Sequence, residues 1–166
     1  MTLCQTLTLD YDSEMKNTRK LLERVPLTDA TRSYKPHEKS MALAYLATHV
    51  ADLPSWFKFT LESQLFLLPE GFKMEIAATT EELLAHFDRS AAIGREWIDK
   101  ATDEDMAKDW TFKYGEIFTS TEPRTQVVRG IINHLVHHRA QLGVYLRLNN
   151  IPIPGMYGPS ADDDWK

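Results

Sequence analysis

"EPRTQVVRGIINHLVHHRAQLGVYLRLN", residues Glu122–Asn149, reads as one long helix. Val127, Val128, Ile131, Leu135, Leu142, Tyr145 and Leu146 return at spacings of three and four, the period of a helix with one apolar face. His134 and His138 fall on that same face. Asn149 and Asn150 tolerate left-handed backbone angles and can end the helix, and Pro152 and Pro154 forbid its continuation.

Three further stretches carry the same period. From Asp10 to Arg24, the residues Tyr11, Met15, Thr18, Leu22 and Val25 form a stripe that Pro26 should stop. From Pro36 to Leu53, Ala42, Leu46, His49 and Leu53 share a face; Ser33 is a candidate cap and Pro36 a first-turn residue. From Thr80 to Ala101, Leu84, Phe87, Ala91, Gly94 and Ile98 make the inner stripe. Thr79 and Glu82 there have the spacing of a capping box. Two connections are long. Residues 54–78 include "SWFKFTLESQLFLL", apolar enough for a short helix, and residues 102–121 include "WTFKYGEIF", which alternates weakly and suggests a short extended piece. The expected fold is all-α, a four-helix bundle with long crossover connections and an extended C-terminal tail. In that tail Met156, Tyr157 and Trp165 are expected to pack back, over a pocket mouth or a dimer partner, and Asp162 to Asp164 to be solvated.

The chain has 166 residues, a length that suits one domain spanning 1–166, and 43% hydrophobic residues, enough for a core. A net charge of -5 argues against nucleic acid or an anionic membrane as the main partner, because phosphate binding needs a basic patch. Cys4 is the one cysteine, so no intrachain disulfide can form. No apolar run approaches the roughly 20 residues that span a bilayer, and the N-terminal stretch lacks the pattern of a signal peptide. A cytoplasmic protein is expected.

On a helical wheel His138 lies about 40° from His134, and Tyr145 about 20°, all on the buried stripe. His137 falls at its edge, and Arg139 points toward solvent or a partner. Residues four apart stack on one face, so His134 and His138 can ligate one ion; a pair satisfied by a carbonyl or water is the plainer alternative. His49 faces inward from another helix. Three buried imidazoles would each need partners, and one divalent ion would satisfy them together. His86 reads as a surface residue, and His37 as an aid to a cap.

The segments "HLVHHRAQLGVYLRL" and "PIPGMYGPSADD", with "LAYLATHVADLPSW" upstream, resemble the DinB superfamily of DinB/YfiT-like metalloenzymes. The resemblance runs from about Asp10 to Asp163. It implies up-down-down-up topology, a homodimer, and zinc or nickel held by His49, His134 and His138, with His137 off the metal. It also implies a metal-dependent transferase of low-molecular-weight thiols such as bacillithiol, mycothiol or glutathione, acting on a small electrophile, or a related hydrolase. A non-catalytic, metal-stabilised dimer or partner-binding module is the alternative. Around the ligands, Gln141 and Tyr145 are candidate pocket residues, each with a plain structural role as its rival. Asp52 can orient an imidazole or simply be solvated, Arg139 can pin the tail or pair across a dimer, and Cys4 is a poor candidate nucleophile.

Overall fold

A computed structural model describes residues 1–163 of the chain. The expected positions of Asp164 and Trp165 lie outside the described residues. Helix α1 (Leu3–Leu22) starts well before Asp10, because Thr2 caps it: its hydroxyl accepts from the Gln5 N–H while the Gln5 side chain accepts from the Thr2 N–H. Tyr11, Met15, Thr18, Leu22 and Val25, the stripe read from the sequence, are all buried.

Helix α2 (Leu43–Asp52) starts seven residues later than Pro36. The loop before it folds back on itself, with the Leu43 N–H donating to the Tyr34 carbonyl and the Ala44 N–H to that of Arg32. Those bonds close the loop over residues 33–42, and within it His37 Nδ1 accepts from the Lys39 N–H. A 3-10 turn (Leu53–Ser55) leads directly into α3 (Trp56–Glu62), the short helix expected in this connection.

Helix α4 (Thr80–Lys100) is capped by Thr79, whose hydroxyl accepts from the Glu82 N–H at 3.2 Å. The Glu82 carboxylate reaches one residue further back, to the Ala78 N–H at 2.8 Å, so the capping box is not closed on Thr79. Gly94 lets α4 approach its neighbours: a Cβ there would lie 2.4 Å from both the Pro54 carbonyl oxygen and the Tyr11 hydroxyl. Tyr11 uses that proximity to donate to the Ala91 carbonyl at 2.8 Å. A short α5 (Asp103–Ala107) follows, and α6 (Arg124–Leu148) is the long helix with which the reading began. Asn150 takes the left-handed conformation expected at its end, with φ 57°.

The expected all-α class is wrong. Strands β1 (Leu65–Leu68), β2 (Asp109–Tyr114) and β3 (Phe118–Pro123) form a three-stranded mixed sheet in the order β1-β2-β3. β1 pairs parallel to β2, with Phe66 opposite Phe112, and β2 pairs antiparallel to β3, with Trp110 opposite Glu122. The weak alternation in "WTFKYGEIF" therefore reports a full hairpin. The end of "SWFKFTLESQLFLL" is a strand, because the chain leaves α3 beside the exposed edge of β2 and its backbone groups bond there. The helices α1, α2, α4 and α6 pack on one another, while the sheet rests on α3 and α6. Among the described residues no helix is long and apolar enough to cross a membrane.

Charge at the back of α6 decides between the readings open for Arg139. Arg139 is buried at 3% exposure, not solvated. Its guanidinium pairs with the Glu14 carboxylate at 2.6 Å and donates to the Glu14 carbonyl and the Thr18 hydroxyl, both at 3.1 Å. The Tyr157 hydroxyl joins the same group, donating to Glu14. Arg139 thus pins the tail, as one of the two sharper readings held. Asp162 likewise pairs with Arg147 at 2.6 Å. No described tail residue lines the large cavity discussed below.

Candidate metal centre

The helical period of α6 places His134 and His138 one above the other, and α2 brings His49 against them. The three imidazoles offer ligand nitrogens that all lie within 4.8 Å of one another. His49 Nε2 and His134 Nε2 are 3.3 Å apart, and the ring centroids of His134 and His138 are 4.6 Å apart. This donor set suits a divalent cation: three imidazole nitrogens converge from two helices, with spacing that one ion can span.

Electrostatics keeps the donors ready. Burial pushes His49 down to about 4, and the neighbouring His138 and His134 push the same way. Burial also lowers His134, helped by His138 and His137. Both rings are therefore neutral near pH 7, the form in which imidazole ligates. His138 Nδ1 donates to Gln141 Oε1 at 2.7 Å, which leaves the lone pair on Nε2. His137 touches the His138 ring but is exposed and outside the cluster.

The surrounding residues sort differently from the sequence reading. Gln141 is an exposed partner of His138. Tyr145 is buried in the core and donates to the Met41 carbonyl at 3.2 Å. Asp52 bonds no imidazole of the cluster. Its oxygens accept from the Trp56 indole N–H at 3.0 Å and from His86 Nε2 at 3.2 Å. Burial works to raise the Asp52 carboxyl, but the bonds from His86 and Trp56 outweigh it and hold it below the usual range. His86 is thus a half-buried partner of Asp52 rather than a free surface residue. Trp56, held by Asp52, packs edge-on against His49 and His134, with centroids 5.8 and 5.5 Å away.

Beside the cluster lies a cavity of about 610 Å³, a size typical of small-molecule sites. His49 and His134 form part of its wall, with Trp56, Phe59, Trp110 and Phe112 among the aromatic residues around them. The wall residues from the sheet were missed in the sequence. The available signal was the alternation of Trp110 and Phe112 with Thr111 and Lys113.

Cys4 takes no part in this centre. It is buried near the start of α1, and burial, then a hydrogen bond to Asp103, push its thiol up to about 11. A thiol at about 11 holds about 100-fold less thiolate at pH 8 than an ordinary cysteine. Alkylation of the folded protein by iodoacetamide at pH 8 should therefore be slower than in denaturant by about that factor. Equal rates in both states would contradict the placement.

The helical core thus gathers three imidazoles that could hold a metal ion, beside a cavity that two of them border. The chain belongs to the DinB family, whose profile matches residues 4–165. Its fold is similar to that of a DinB-like protein from Bacillus cereus, with a TM-score of 0.71 at 20% identity over 94% of this chain and 98% of that one. A DinB-like protein from Bacillus subtilis is similar at a TM-score of 0.69 and 18% identity, over 91% of this chain and 97% of the other. No curated protein matches the sequence.

Proposed function

We propose that the protein is a metal-dependent enzyme that transfers a low-molecular-weight thiol to a small electrophile, with hydrolysis as the close variant. His49, His134 and His138 would hold the divalent ion, zinc or nickel. When bound, such an ion supplies Lewis acidity and makes a thiol or water acidic enough to act as a nucleophile near neutral pH.

The observation that carries this reading is the shared wall. His49 and His134 border the cavity directly, so a metal site here adjoins space for a substrate. A purely structural site would be closed off by protein. The chain's own residues do the rest. Trp56 fixes the two cavity-side imidazoles in place, Asp52 fixes Trp56, and Gln141 fixes the tautomer of His138. The aromatic lining makes the wall around the reacting groups largely apolar.

The test is a conjugation screen with cysteamine, glutathione and bacillithiol against 1-chloro-2,4-dinitrobenzene. Zinc- or nickel-loaded protein should accelerate at least one of these reactions, and both chelation and His138→Ala should return the rate to background. Acceleration that survives both treatments would remove the histidine site from the reaction.

A further inference from the structure

We propose that the cavity selects a substrate with an aromatic or otherwise apolar body and one positive charge, with Glu122 as the group that reads the charge. This rests on the cavity being the substrate site of the proposed function.

The sheet builds the selective wall. Strand alternation turns Phe66 of β1, Trp110 and Phe112 of β2, and Ser120 and Glu122 of β3 to the cavity. Register sets Phe66 beside Phe112, and Trp110 beside Glu122. The rings run nearly parallel. Phe59 and Phe66 stack at 4.7 Å and 25°, Phe66 and Phe112 at 6.2 Å and 20°, and Phe112 and Trp110 at 6.2 Å and 21°. Such a wall offers a continuous apolar surface that suits an aromatic or otherwise apolar body.

Charge on the wall has one sign. Asp52 and Glu122 line the cavity, and no lysine or arginine does among the described residues. Arg124, two residues from Glu122, is 5% exposed and turns its guanidinium to the Ser63 carbonyl. Lys113 bonds Glu116. The two carboxylates differ in what they have left to give. Asp52 is engaged at both oxygens by Trp56 and His86. Glu122 is half-buried and accepts only the Ser120 hydroxyl, at 3.2 Å, among the described residues. A half-buried carboxylate with one neutral partner gains from an ammonium group brought to it. In the metal-free chain a carboxylate-bearing guest meets two like charges and, among the described residues, no lysine or arginine on the wall. The sheet side of the cavity, at Glu122, therefore takes the apolar reaction partner, and a carboxylate-bearing thiol is left to the side of His49 and His134.

Three ligands of nearly equal shape separate the terms: tryptamine, tryptophol and indole-3-acetate, titrated calorimetrically into chelator-treated protein. Tryptamine should bind about tenfold more tightly than tryptophol, the worth of one charge-assisted hydrogen bond, and indole-3-acetate more weakly than either. In Glu122→Gln, tryptamine should fall to the affinity of tryptophol, whose own binding stays unchanged and reports an intact cavity. A preference for indole-3-acetate, a tryptamine preference that persists in Glu122→Gln, or no binding of any of the three would overturn the proposal. Zinc and nickel titrations of the same protein read the metal site separately. Selective tryptamine binding without uptake of either ion sinks the metal reading and leaves this one standing; metal uptake without selectivity does the reverse.

Discussion

Alanine at His134 should erase the stabilisation that zinc or nickel gives the folded chain. At a free ion concentration about 1,000 times the dissociation constant, binding to the folded state alone adds ~4 kcal/mol. For a chain of this length that corresponds to a rise in melting temperature of about 8–16 °C. His134 is the sharpest place to test it, because it faces His49 at 3.3 Å and stacks on its own helix with His138. Its loss leaves two donors on different helices. Scanning calorimetry with added metal and with chelator checks the expectation. The metal-dependent rise should be present in the wild-type chain and absent in His134→Ala; an equal rise in both would mean that the ion binds elsewhere.

The second large effect belongs to stability rather than to the metal. Arg139→Met should cost about 3 kcal/mol, near the low end for breaking a buried ion pair, with a fall of about 6–12 °C in melting temperature. The low end applies because Glu14 retains 13% exposure of its side chain and the Tyr157 hydroxyl still donates to it. Tyr157→Phe removes one hydrogen bond and should cost only ~1 kcal/mol. The double variant Glu14→Gln/Arg139→Met should be more stable than the sum of the single losses implies, since neither then leaves an unpaired buried charge. Urea titrations of these three variants and of Glu14→Gln alone measure the losses. A loss below ~1 kcal/mol in Arg139→Met would show that the buried pair is not holding α1, α6 and the tail together.

These two sites also mark what can be read from the sequence and what cannot. The stripe of α6 and the stripe of α1 are legible because long helices repeat their apolar residues many times over, and the buried residues fall where the period puts them. The inward direction of His49, His134 and His138 follows from the same periods. Their convergence does not, because it depends on how α2 packs against α6. Arg139 stays open between solvent and a partner in the sequence because a charge on the flank of a helix looks exposed until its partner is known, and Glu14 is 125 residues away. The sheet is misread because its pairing is equally distant. "LFLL" is too short to show a period, and it becomes a strand only through parallel pairing with β2, some forty residues later. With the sheet hidden, the aromatic wall and the role of Glu122 are hidden as well.

Metal uptake tests the central claim most directly. Purified chain, stripped by chelator and dialysed against zinc or nickel, should retain about one ion per chain, as a site built from one set of three imidazoles requires. His49→Ala, His134→Ala and His138→Ala should each retain far less, while His137→Ala should match the wild type. A wild-type chain that retains neither ion, or a triple-alanine variant of His49, His134 and His138 that retains as much as the wild type, would contradict the account.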